Sequence, residues 1–201
     1  MISLGVRPVR NCCHSESVCR YLPGGTFTFF NPQTISTPGT GTASPYPSTI
    51  SVSGLTGLIA KVTVTLFDMR HETSRDLQIL LVGPDGETNT ILMSDVGGDA
   101  SFVTLTFDDN GPRFIEQAES FVSGTYKPTN FQTDPVSNNL PAPAPPTSAS
   151  VALSNFIGLD PNGTWSLYVN DALDTIGGNI FNGWALSITL ADTEKCTVTP
   201  L

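Results

Sequence analysis

The sequence predicts an all-β sandwich, on three observations. Apolar and polar residues alternate at a period of two in four separate segments. The composition is rich in turn formers and poor in charge, and no sustained helical periodicity is present. Of 201 residues, 18 are Gly and 16 Pro, while 39% are hydrophobic and 13% charged, a balance that suits many short strands joined by tight turns. The length fits one domain with a substantial core.

Residues 1–22 read as an unstructured leader. Met1 to Arg20 mix Arg7, Arg10, Glu16 and Arg20 with short apolar pieces, and lack the continuous apolar stretch of a signal peptide. The four cysteines, Cys12, Cys13, Cys19 and Cys196, all lie near the ends, so packing alone is expected to hold the intervening chain. Cys12, Cys13, His14 and Cys19 do not have the spacing of a zinc knuckle.

From Thr26 onward the strand period takes over, and the domain is read as residues 23–192 with a tail at 193–201. Val62, Val64 and Leu66 alternate with Lys61, Thr63 and Thr65, placing one set inward and the other toward solvent. Leu77 to Val82 is nearly continuous in apolar character, the pattern of a central strand covered on both faces. It ends at Gly83-Pro84-Asp85-Gly86, a turn that feeds a hairpin into Thr90 to Met93. Val103, Leu105 and Phe107 repeat the alternation.

Arg113 to Ser120 is the best helical candidate, at most two or three turns. Thr125 to Ser150, with Pro135, Pro141, Pro143, Pro145 and Pro146, is read as a long surface loop and not an interdomain linker, because the strands after it could not bury their own apolar face. Asn162-Gly163 and Asn182-Gly183 are turns that open the last two strands, Trp165-Leu167-Val169 and Trp184-Leu186-Ile188. Their parity points both tryptophans inward. Asn162-Gly163-Thr164 also spells a glycosylation sequon, for which the turn reading suffices.

Specific words then accumulate that composition does not explain. His71 to Leu81, followed by Gly83-Pro84-Asp85-Gly86, resembles the H-T-x-x-x-D-L-x-I-x-L stretch and S-P-S-G turn of the proprotein convertase P domain, also called P/Homo B. Here Glu72 intervenes before Thr73, and Gly83 and Asp85 replace the two serines. Asn162 to Asp171, then Gly177 to Ile188, is similar to that family's N-G-T-W-x-L-x-V-x-D and G-x-L-x-x-W-x-L-x-I signature. The matched motif positions are His71, Asp76, Leu77, Gly86, Gly163, Trp165, Asp171 and Trp184. Met93 to Gly98 and Ser123 to Pro128 resemble its bacterial branch. The resemblance spans roughly Ile50 to Leu190. It implies a jelly-roll sandwich related to galactose-binding domains, an extracellular or cell-surface setting, and a non-catalytic role packed against a neighbouring domain such as a subtilisin-like catalytic domain.

The residues themselves exclude several functions. Eighteen acidic against nine basic residues, a net charge of −9, repel a phosphate backbone, so nucleic acid is not an expected partner. No run of about eighteen apolar residues predicts a membrane span. A serine hydrolase needs a base, and only His14 and His71 are available, neither beside a nucleophile elbow or a metalloprotease motif. An active peptidase is therefore the least favoured reading. Calcium is the sharper expectation, since a hard cation takes carboxylate and carbonyl oxygens together. Asp76, Asp108, Asp109, Asp171 and Asp174 all flank predicted strands and are the candidate ligands, with Asp76 and Asp171 foremost. A calcium-dependent carbohydrate or adhesion module is accordingly the alternative function, with Tyr168 or the Pro-rich loop as the candidate ligand surface.

Overall fold

The structure, a computed structural model, describes residues 15–117, 119–120, 122–131, 140–173 and 176–200. In chain order the strands are β1 (Ser15–Leu22), β2 (Thr26–Asn31), β3 (Ile35–Thr37), β4 (Gly41–Thr42), β5 (Ser48–Val52), β6 (Ile59–His71), β7 (Leu77–Val82), β8 (Asn89–Ser94), β9 (Ala100–Phe107), β10 (Gly124–Tyr126), β11 (Thr129–Asn130), β12 (Gly163–Asp171), β13 (Gly178–Ile180), β14 (Trp184–Leu190) and β15 (Thr193–Pro200). Two single-turn 3-10 helices, Ser74–Asp76 and Leu153–Phe156, are the helical elements among the described residues.

Two sheets face each other. The first runs β10-β9-β6, after which β14 and β2 continue beside the first part of β6, and β13 and β3 beside the second. The second runs β11-β8-β7-β12, with β4 and β5 both paired to β12. The division of β6 has a local cause. Leu66 opposes Leu105 but Met69 opposes Val103, so Phe67-Asp68 holds one extra residue, a bulge that bends the strand. Asp68 takes a left-handed φ of 53°, which aspartate tolerates better than most residues, and its carboxylate accepts a hydrogen bond from the Asn182 amide.

The core lies where the alternation predicts it. Val62, Val64, Leu66, Leu105, Phe107, Leu186 and Ile188 of the first sheet meet Ile79, Leu81, Leu167 and Val169 of the second in one cluster. Trp165 and Trp184 are both 0% exposed. Each indole N–H is satisfied inside, Trp165 donating to the Pro161 carbonyl and Trp184 to the Ser48 hydroxyl, both at 3.0 Å. The polar parity of the same strands faces outward, where Thr65 and Thr106 share a hydroxyl bond of 3.0 Å across β6 and β9.

The outer face of the second sheet is not left to water. Leu80, Val82, Ile91 and Tyr168 form a second small cluster with Leu140, Tyr46 and Ala144. The described end of the Pro-rich segment, from Leu140 onward, thus folds back as a cover. The Tyr46 hydroxyl donates to the Pro141 carbonyl at 2.6 Å, its ring meets Tyr168 edge-on at 5.0 Å, and burial pushes its pKa up to about 12. Asn89 fixes the far end, donating to the Pro146 carbonyl at 3.0 Å and accepting from the Ser148 N–H at 2.8 Å. The cover explains why every residue of β7 and β8 is buried, as the apolar run at Leu77 to Val82 predicts for β7.

Two expectations need correction. The described residues of 113–120 form no helix: Arg113 instead stacks its guanidinium on Tyr126, 4.8 Å from the ring centre, and donates to its hydroxyl at 3.0 Å. The span read as an unstructured leader is a strand over its described part, 15–22. Residues 15–22 pair antiparallel with 193–200, and Cys19 is joined to Cys196 across that ribbon. Cys12, Cys13 and His14 lie outside the described residues. In the chain-entropy view a loop this long, closed over a separation of 177 residues, stabilises the folded state by about 5 kcal/mol.

Candidate functional site

Among the described residues, the densest set of buried ionisable groups is where β6, β7 and β12 have their ends together. Asp171 closes β12 opposite Leu77, the Ala172 N–H donates to the Asp76 carbonyl at 2.8 Å, and His71 closes β6. His71, Asp76 and Asp171 are each 2% exposed or less. His71 Nε2 lies 3.0 Å from Asp171 Oδ2, and the Thr73 N–H donates to His71 Nδ1 at 3.2 Å. That second bond fixes the first. Because Nδ1 accepts, the ring proton sits on Nε2 and is donated to the carboxylate.

Gly178 lies against the ring. A Cβ there would come within 2.2 Å of the Arg70 carbonyl and 2.6 Å of His71 Cδ2, so β13 can close over the histidine only as glycine. Burial holds the Asp171 carboxyl above the usual carboxylate range. The charge of Asp76 adds to the rise, and the His71 hydrogen bond opposes it. Asp171 Oδ1 is buried and makes no hydrogen bond among the described residues.

This geometry can fix a fold but cannot move a substrate proton. A general base needs a ring nitrogen with a free lone pair facing a nucleophile, and here Nδ1 is filled by a backbone N–H and Nε2 carries a proton toward Asp171. The nearby Ser74 hydroxyl donates to the His71 carbonyl, not to its ring. His71, Asp76 and Asp171 therefore tie three strand ends together. His14 lies outside the described residues.

The four described candidate calcium ligands fall into two groups at opposite ends of β9. Phe107 opposes Val64 whereas Ala100 opposes His71, which puts Asp108 and Asp109 beyond the other end of β9. Asp108 binds Lys61 at 2.7 Å and accepts the Asn110 N–H. Asp109 accepts the Leu153 and Ser154 N–H groups, both at 2.8 Å, and so caps the second 3-10 helix. Asp174 lies outside the described residues. Only Asp76 and Asp171 remain neighbours.

The motif positions occupy the places a shared fold demands. Gly163 opens β12 at a φ of +131°, and a Cβ there would stand 2.7 Å from Pro84 Cβ. The sequon residue Asn162 is consumed by the same turn, donating to the Leu55 carbonyl and accepting the Leu55 N–H. The family model of the proprotein convertase P-domain matches residues 59–188, which hold all eight motif positions. The chain belongs to that family. P domains are non-catalytic accessory domains of proteases, and the family is typically extracellular.

Among solved structures, this P domain is similar to the serine protease of Aeromonas sobria, alone and in complex with its chaperone. The identities are 14% and 16%, the TM-scores 0.37 and 0.38, and the match covers 86% and 87% of this chain. It spans 27% of each of those chains. The search among curated proteins found no match.

One surface of the P domain escaped the sequence reading. On the outer face of the first sheet, Phe30 stacks with Phe67 at 6.3 Å and Phe102 with Phe181 at 5.5 Å, and the Arg70 guanidinium lies 5.9 Å from the Phe102 ring centre. Phe30 and Phe102 are 64% and 56% exposed. The signal was present: both share the parity of the outward threonines, Thr26 and Thr28 in β2, Thr104 and Thr106 in β9. Tyr168, expected as a ligand surface, is instead only 8% exposed beneath the Pro-rich cover.

Proposed function

We propose that this chain is a non-catalytic stabilising module of the kind associated with subtilisin-like serine endopeptidases, which packs against a neighbouring domain of a larger secreted polypeptide. The observation that carries the reading is His71. In a family of protease accessory domains, the one described histidine is spent on holding strand ends, with both ring nitrogens engaged inside the fold. The uncovered aromatic face of the first sheet is the surface best suited to a neighbour, since stacked phenylalanines and a guanidinium are the groups that anchor protein contacts. A jelly-roll of the galactose-binding type is the finer topology we assign to the two sheets.

The test is to read the coding sequence on both sides of this chain and express it with its neighbour. This reading expects a subtilisin-type domain there, with a thermal half-life that falls when the P domain is removed or when Phe30→Glu and Phe102→Glu are introduced together. The isolated chain should hydrolyse no casein. Casein hydrolysis that survives substitution of both histidines, or a half-life indifferent to the P domain, would overturn it.

A second reading, a calcium-dependent carbohydrate or adhesion module, is favoured by one feature. Asp171 Oδ1 is buried near Asp76 and makes no hydrogen bond among the described residues, the Leu173 N–H lowering the pKa of the same carboxyl, and a hard cation is one way to satisfy that oxygen. Asp76 and Asp171 would hold the ion, and Asp108 and Asp109 would not. Calorimetric titration with calcium chloride, followed by a glycan panel, decides it: no heat and no retention remove this reading.

A further inference from the structure

We propose that the Cys19–Cys196 disulfide is a redox-sensitive clasp that keeps mechanical load off the β-sandwich. Strand β1 runs toward the sandwich and β15 runs away from it, with Ser15 opposite Pro200 and Leu22 opposite Thr193. The described chain therefore begins and ends at the same tip of one ribbon, at Ser15 and Pro200. Tension applied to those ends loads the ribbon as a zipper, one residue pair at a time, which is the weakest way to load a ladder of hydrogen bonds. Four pairs lie outside the clasp, from Ser15 and Pro200 to Val18 and Thr197. After they part, the load meets the sulfur–sulfur bond between Cys19 and Cys196 and passes from one end to the other through it.

Everything that makes the fold stands behind that bond. All strands of both sheets, the two buried tryptophans and the His71–Asp171 pair lie within the 177-residue separation it closes. Without the bond the load passes through hydrogen bonds alone to the strands behind the ribbon. The ribbon's described side chains at 19, 20, 22 and 193–197 are exposed, and an isolated two-stranded ribbon is marginal in water. The next strands in line are β2 and β14, and β14 carries Trp184, Leu186 and Ile188 into the core.

The exposure of Cys19 and Cys196 makes the clasp accessible to reductant. A dithiol thiolate attacks one sulfur and the disulfide breaks. Cys19 and Cys196 take up two electrons and two protons as thiols, and the reductant leaves as its own disulfide. An oxidising compartment thus sets the domain as a side module on a loaded chain, and a reducing one exposes it to the pull.

The test is single-molecule force extension of the full chain, held by handles at its first and last residues. Under oxidising conditions the 177-residue segment should never lengthen. After dithiothreitol is added to the folded protein, unfolding should release up to about 640 Å of contour, at about 3.6 Å per residue. The Cys19→Ser/Cys196→Ser variant should release the same length without reductant, and Cys12→Ser/Cys13→Ser should stay locked. Release of the long segment from oxidised protein overturns the proposal. So does peptide mapping that finds Cys19 and Cys196 bonded to partners other than each other.

Discussion

Replacing His71 by alanine removes the Nε2–H that lies 3.0 Å from Asp171 Oδ2 and the Nδ1 acceptor of the Thr73 N–H at 3.2 Å. Thr73 is half-buried, so its N–H can find water at small cost. Asp171 cannot. Its side chain is 0% exposed, and Oδ1 makes no hydrogen bond among the described residues. Leaving a buried carboxylate without its compensating donor costs about 3–5 kcal/mol. Asp171→Ala leaves only a neutral N–H unsatisfied, about 1–3 kcal/mol, and relieves the repulsion from Asp76. The double variant should therefore cost less than the sum by about 1–3 kcal/mol, the coupling expected of contacting groups. Urea unfolding followed by the fluorescence of buried Trp165 and Trp184 measures all four corners of the cycle. Strict additivity, or a His71→Ala cost under about 1 kcal/mol, would refute the claim that this pair locks the ends of β6 and β12 together.

The same pair sets a pH dependence. A carboxyl whose folded pKa is raised favours folding while protonated, so its contribution is present at acid pH and is lost as pH rises from the unfolded value through the folded one. Asp171→Asn should remove that slope, visible in urea midpoints measured across the acid range. Trp165→Phe should cost about 1–3 kcal/mol by the same assay, because it leaves the Pro161 carbonyl unsatisfied and opens space beside Phe156, whose ring centre is 5.0 Å away. Gly163→Ala should cost about 1–3 kcal/mol in a thermal melt, since the alanine Cβ meets Pro84 at a left-handed φ. Reduction of Cys19–Cys196 should lower the free energy of unfolding, read from urea curves, by up to about 5 kcal/mol, and a loss under about 1 kcal/mol would deny the ribbon its covalent role.

Much of this structure was legible because its signals are local. Alternation at Val62 to Leu66 and Val103 to Phe107 reports which face is buried, and it needs no knowledge of neighbours. The turn before Trp165 and the apolar run of β7 are equally self-contained. What failed depends on strand order. Asp108 and Asp171 both flank strands, yet only the pairing of β6 with β9 tells which end of the sandwich each occupies. Cys19 and Cys196 looked isolated because the ribbon that joins them is made of two segments 177 residues apart. The Pro-rich cover was recognised as a loop, but its contact with Tyr46 and Tyr168 depends on a tertiary docking that composition does not encode. Phe30 and Phe102 carry a readable parity, but that each stacks on a second phenylalanine depends on the bulge at Phe67-Asp68 and the turn at Phe181, which alternation alone does not place.

The most direct examination of the account is the tautomer of His71, read by long-range nitrogen–proton correlation NMR at neutral pH. The account predicts a proton on Nε2 that exchanges slowly with water and an unprotonated Nδ1. A proton on Nδ1, or a ring whose Nε2–H exchanges as freely as a surface imidazole, would contradict it.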